Sequence, residues 1–324
     1  MRVYVTGGTG FVGSNIAKLF AEWHGLDVTV ACRQPPPQTM IVRYTALDLE
    51  DPESIRTSIR VERPDLIIHS AILNDFPTIY ADRRLAWDIY VTATRALVDV
   101  ANEVGATFVF VSTDWVFDGT QSNATEQTPP NPINYYGVLK LIGETVTLER
   151  ARRPIVARIA GVRGVHWARA TGTRTQDAGF GHFVGALVDA LSAGEKFSVW
   201  EDAQINEIAT PSLASESGEM MLQLALRGSS GIFHCCGGES TTRLELARLA
   251  VDVFDLDPSL LHSGPPDPNI MPNVPIPRDT SLNARHTASS IEYTLPSVRT
   301  LLETLREQRH TGTVRPIRTA LTSS

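Results

Sequence analysis

VYVTGGTGFVGSNIAKLF, residues 3–20, decides how the rest of the chain is read. A short apolar run ends in a glycine-rich turn and passes into an amphipathic stretch, which predicts a strand, a tight turn and a helix. Gly7 permits the turn, Gly10 lets a pyrophosphate approach the backbone, and Gly13 lets helix and strand pack closely. The start of the helix, Phe11-Val12-Gly13, offers N–H groups and a positive dipole to an anion. A glycine triplet alone is a weak signal. Its place between a first strand and a helix, with a second strand at the expected distance, makes a dinucleotide site the expected reading.

Outward from this turn, DVTVA, DLIIHSA, TFVFVS and PIVARI repeat the apolar pattern, and 11–22, 82–104 and 134–150 carry helical periodicity. Strands alternating with helices predict an α/β, Rossmann-type doubly wound parallel sheet. After Arg158 the pattern loosens. The stretch 164–183 reads as a long loop over a site. Helices are expected near 183–193, 212–226, 241–254 and 296–308. The Pro-rich run 263–280 is expected to wrap the surface without regular structure, and the tail from His310 to be disordered. The expected division is therefore an NADP(H)-binding domain over 1–160, then a smaller α/β substrate lobe over 161–309 with elements returning to the first domain, then the tail 310–324.

The chain has 324 residues and a formal charge of −7, which gives no reason to expect nucleic acid or an acidic membrane as partner. No apolar run reaches the length of a membrane span, and MRVYVTGGTG reads as the first strand of a fold. Cys32, Cys235 and Cys236 form neither a disulfide framework nor a zinc spacing. A cytoplasmic, metal-free protein is expected, with a homodimer as the oligomer to look for.

The end of the second strand, VTVACRQ, bears on the cofactor. An acidic residue there usually takes the ribose hydroxyls of NAD. Here Cys32 is followed by Arg33, which suits a 2′-phosphate, so NADPH is expected, with NADH as the alternative. A solvated surface Arg33 is the competing reading. Asp48, past the third strand, is placed to bond an adenine amino group, with Leu49 and Ala71 beside the same ligand. Nearby Asp51 is read as a helix N-cap.

FVFVSTDWVFDG brings Ser112, Thr113 and Asp114 to the carboxyl end of a strand, the edge where open α/β sheets bind ligands. INYYGVLKLIGE then sets Tyr136 four residues before Lys140, on one helix face. A cation so near a phenol favours the phenolate and is expected to lower its pKa. In a reduction, Tyr136 would protonate the developing alkoxide and Thr113 would steady the oxygen, while Lys140 would also hold the nicotinamide ribose. Tyr135 points elsewhere.

With these residues, the chain resembles the extended short-chain dehydrogenase/reductases, and among them the dTDP-4-dehydrorhamnose reductase branch. That branch carries T-G-x-x-G-x-x-G, S-T-D-Y-V-F-D-G and Y-G-x-x-K-x-x-G-E, which here read Thr6 to Gly13, Ser112 to Gly119 and Tyr136 to Glu144. RPDLIIHSA, ANEVGA, ATPSLA, GIFHCCGGESTTRLELA and PRDTSLN extend the likeness to about residue 308. The resemblance implies a Thr113-Tyr136-Lys140 catalytic trio and reduction of a keto sugar nucleotide or a related polar carbonyl. Asp114, Trp115, Arg163 and Arg278 are candidate substrate contacts. Arg163, Arg169 and Arg174 are candidates for phosphate groups, with solvated surface arginines as the alternative.

Several positions depart from the branch. RIAGVRG (158–164) replaces R-T-x-W-V-Y-G, the loop ILNDFPTIYADRRLAW is unlike the usual one, and Tyr90 stands where an asparagine tied to proton relay is common. Trp115 stands where a dehydratase would have its second carboxylate. Two alternatives stay open: a nucleotide-sugar epimerase, and a cofactor-binding partner protein like the methionine adenosyltransferase β-subunit. His166, His182 and Asp177 lack a compact ligand spacing and read as part of a substrate lid rather than a metal site.

Overall fold

The computed structural model describes residues 1–317 apart from 37–39, 74, 170–175, 180, 203, 267, 269–270 and 272. Its main sheet contains β1 (Arg2–Thr6), β2 (Asp27–Cys32), β3 (Arg43–Ala46), β4 (Leu66–His69), β5 (Thr107–Thr113), β6 (Pro154–Ile159) and a further strand, Gly231–His234. The spatial order is Gly231–His234, β6, β5, β4, β1, β2, β3, and every neighbouring pair is parallel. The order reverses between β1 and β4, which opens a crevice at the carboxyl edge.

Strand alternation sets the two cores. Val3, Val5, Ile68 and Val109 face Ile16, Phe20 and Met221 on one side. Tyr4, Ile67, Phe108 and Phe110 face Ile55, Ile59 and Leu97 on the other. The strands are buried on both faces, hence their nearly continuous apolar runs. Asp51 caps the helix Pro52–Glu62 by accepting from Glu53 N. The periodic stretch 82–104 is not one regular helix. It runs as Arg83–Trp87, a wider π turn Asp88–Thr92, and Ala93–Val104. Tyr90 sits in the π turn, where its hydroxyl donates to the Leu73 carbonyl.

A further core, away from the main sheet, gathers Phe183, Leu187, Val199, Leu246, Ala250, Leu301 and Leu305. Three small sheets frame it: Val162–Arg163 with Ser212–Leu213, Leu261–Gly264 with Phe197–Trp200, and Ile208–Ala209 between Thr241–Thr242 and Asp279–Thr280. The chain crosses back with the helix Ala214–Leu226, which packs on Phe11–Lys18, and the next strand, Gly231–His234, which joins the main sheet.

Two expectations need correction. The Pro-rich run begins and ends in strand pairing, and its Met271, Asn273 and Val274 line the crevice rather than only the surface. The tail is docked through residue 317: the last helix reaches Thr311, Val314 is buried, and Ile317 N donates to Glu216 Oε1 at 2.6 Å. Apolar Val314 and Ile317 supply the surface that a polar reading of the tail overlooks. Residues 318–324 lie outside the described residues.

Candidate active site

The crevice is a cleft of about 1300 Å³. Gly7, Gly10, Phe11, Val12, Gly13, Arg33, Asp48, Leu49 and Ala71 all line it, together with Thr113, Asp114, Trp115, Tyr136 and Lys140. The turn is glycine by necessity. Gly7 has φ +68°, and a Cβ there would lie 2.6 Å from the Ala71 backbone. A Cβ on Gly13 would lie 2.3 Å from Gly7 O. No side chain caps the helix that starts at Phe11 and no acidic residue occupies its first turn, so its N–H groups face the cleft as an anion cradle. This cradle, with exposed Arg33 and Asp48 at the ends of neighbouring strands, fits a dinucleotide.

At the other end stand Thr113, Tyr136 and Lys140. Asn134 caps the helix Tyr135–Arg150 and launches it past the end of β5. The Tyr136 ring is boxed by Phe76, Tyr90 and Trp115, with centroids 5.9, 6.1 and 6.1 Å away. Burial pushes the phenol well above its ordinary pKa, the Thr113 hydroxyl opposes that, and the Asp114 carboxylate adds to it. Lys140 is buried, donates to Val111 O and lies over the Phe110 ring at 4.4 Å. Burial lowers its ammonium to about 7, with Glu144 opposing. The expected lowering of the Tyr136 pKa by Lys140 is therefore not seen. Desolvation outweighs the four-residue spacing and acts on both groups.

Beneath them Glu144 accepts from Arg158 at 2.9 and 2.7 Å and from Ser112 at 2.5 Å, pinning the helix to β5 and β6. Asp114 is buried on the cleft wall, accepting from Thr113 at 3.0 Å and from Thr280 at 2.5 Å. Burial pushes its carboxyl up to about 6, against the bonds from Thr280 and Thr113.

Two candidate substrate contacts are elsewhere. Arg163 is buried outside the cleft lining and donates to the Gly161 carbonyl at 2.9 Å. Arg278 points to the surface and pairs with Glu207 at 2.6 Å. Arg169 does line the cleft, and Arg174 lies outside the described residues. His166, Asp177 and His182 line it too, with both imidazoles beside the Phe11 ring. Among the described residues no group of three or more His, Cys, Asp or Glu could hold a metal ion. Tyr135 stays out of the cleft, stacked edge-on with Tyr80 under Arg83.

The sequence reading missed Phe76, Gln176, Asn206, Met271, Asn273 and Val274, all in the cleft wall. Phe76 had one signal, an aromatic in an atypical loop. Asn206, Met271, Asn273 and Val274 had none, because only the fold brings them there.

The fold and this cleft define an NAD(P)-dependent oxidoreductase of the extended short-chain dehydrogenase/reductase type. The chain belongs to the RmlD substrate binding domain family, whose model matches residues 1–310. It is 29% identical over 267 residues to the methionine adenosyltransferase 2 subunit beta of Xenopus laevis, covering 80% of this chain and 74% of that one. A hypothetical dTDP-4-dehydrorhamnose reductase from Sulfolobus tokodaii superposes with TM-score 0.72 at 27% identity, covering 91% of this chain and 98% of that one. The Bacillus anthracis dTDP-4-dehydrorhamnose reductase, solved with NADP, has the same fold, with TM-score 0.77 at 21% identity and coverage of 95% and 99%.

Proposed function

We propose that the chain is an NADPH-preferring ketoreductase acting on a keto sugar nucleotide or a related polar carbonyl metabolite. The observation that carries this reading is the convergence of Thr113, Tyr136 and Lys140 at one end of a cleft whose other end is the glycine cradle. When bound, the nicotinamide supplies the hydride. Tyr136, kept neutral by burial, gives its proton to the carbonyl oxygen. Thr113 polarises that oxygen, and Lys140 leaves Val111 O to hold a ribose hydroxyl. Arg33, at the end of β2, supports the phosphorylated cofactor through a charge-assisted bond.

The names of the two similar reductases support a 4-keto nucleotide sugar as the first substrate to try. The Xenopus laevis relative supports a second reading, a cofactor-binding partner subunit. The test follows NADPH and NADH consumption with a panel of 4-keto nucleotide sugars and simpler ketones. Turnover with a preference for NADPH is expected. Tight NADPH binding without turnover across the panel would favour the partner subunit.

A further inference from the structure

Thr113 is already committed as a donor. Its hydroxyl donates to Asp114 Oδ1 at 3.0 Å, with the Tyr136 phenol as its other polar neighbour, while its oxygen accepts the Trp115 N–H at 3.3 Å. The other Asp114 oxygen accepts from Thr280. The Asn206 amide donates to the Thr280 oxygen at 3.0 Å, and of the two acceptors in reach of the Thr280 proton, Asp114 at 2.5 Å is nearer than Asn206 Oδ1 at 3.3 Å. Donors thus run inward from both sides to one buried carboxylate. A hydroxyl has a single proton, so beside an ionised Asp114 Thr113 has none for a substrate carbonyl. A protonated Asp114 reverses the near side: it donates to Thr113, and Thr113 can then donate into the cleft.

We propose that Asp114 is a positioning residue that turns the Thr113 hydroxyl, so that its protonation arms the site for carbonyl reduction and its ionisation disarms it. This deepens the ketoreductase reading and rests on it. The reaction balances without consuming the Asp114 proton. Hydride from NADPH adds to the carbonyl carbon, the C=O π pair moves to oxygen, and Tyr136 supplies the proton that completes the alcohol.

Of the groups that face Asp114, none other switches near neutral pH; Lys140, the cleft's other such group at about 7, bonds Val111 O and not Asp114. Tyr136, from the helix Tyr135–Arg150, and Cys236, after the strand Gly231–His234, are both pushed up by burial and by Asp114 itself, so both stay neutral. Thr280 and Asn206 do not titrate. The titration of Asp114 near 6 is held down by its bonds from Thr280 and Thr113, so losing the Thr280 donor moves it upward.

The test pairs infrared spectra of the NADPH-loaded protein, read at the protonated-carboxyl band from pH 4.5 to 8, with kcat/KM for reduction over the same range. Wild type, Asp114→Asn and Thr280→Val are compared. In wild type kcat/KM is expected to fall about tenfold per pH unit above the midpoint of the carboxyl band. Thr280→Val should move both midpoints to higher pH together. Asp114→Asn should lose the band and the fall that tracks it, keeping only the step that Lys140 gives near 7, because its amide donates to Thr113 at every pH. A wild-type profile in Asp114→Asn, or a band that does not titrate, overturns the proposal. If no ketone is turned over, the ketoreductase reading fails. The band and its shift in Thr280→Val still decide whether Asp114 titrates as argued.

Discussion

The two ends of the cleft are built in different ways. The cofactor end comes mainly from one local stretch, Thr6 to Gly13, with Arg33 and Asp48 added at adjacent strand ends. The other end is assembled from Phe76, Gln176, Asn206, Met271, Asn273 and Val274, which meet only because the chain crosses between the main sheet and the smaller lobe. Backbone geometry specifies the first. Side-chain contacts of high sequence separation specify the second. A local site tolerates little change in its glycines, whereas an assembled site can change its lining while keeping its frame.

The largest effect should come from Gly13→Val, which breaks the local end. Its added carbons meet Gly7 O and Ser70 Oγ. Overpacking of about 2–3 kcal/mol corresponds to a loss of roughly 100-fold in NADPH affinity, read by fluorescence titration. Arg33→Ser should follow, reducing the preference for NADPH over NADH by about tenfold or more, as loss of a charge-assisted bond implies. An unchanged preference would make Arg33 a surface residue. Phe76→Ala tests the assembled end, since it opens the box around Tyr136. It should raise substrate KM by roughly tenfold through lost aromatic contact while leaving NADPH affinity alone.

The smallest effect concerns the docked tail, another assembled feature. Burial pushes Glu216 up to about 7, against the bonds from Tyr293 and Ile317. A carboxyl raised in the folded state binds its proton more tightly there than in the unfolded chain, so stability falls as pH rises from about 4.5 to 7. The difference in urea unfolding free energy between wild type and Glu216→Gln should therefore change between pH 5 and 7.5 by on the order of 1 kcal/mol. A pH-independent difference would remove Glu216 as a titrating anchor.

The same contrast explains what the sequence could tell. Strand alternation, the Gly7–Gly13 turn and the Tyr136–Lys140 spacing are local and were legible. The direction of the pKa shifts was not, because spacing reports proximity while burial decides the balance: Lys140 is desolvated along with Tyr136. Arg163 and Arg278 were misread for a related reason. Residue type suggested substrate contacts, but Arg163 is buried beside Gly161 and Arg278 pairs with Glu207 across 71 positions. The docking of Val314 and Ile317 depends on Glu216, about a hundred residues earlier, and no window along the tail contains that partner.

The account rests on Tyr136 as the proton donor of a working reductase. The most direct test compares wild type with Tyr136→Phe, measuring NADPH affinity and carbonyl-dependent NADPH oxidation on the same preparations. The phenol has Thr113 and Asp114 as its polar neighbours, so affinity should hold while turnover falls by about 10²–10⁴-fold. Equal turnover in the two proteins would contradict the account.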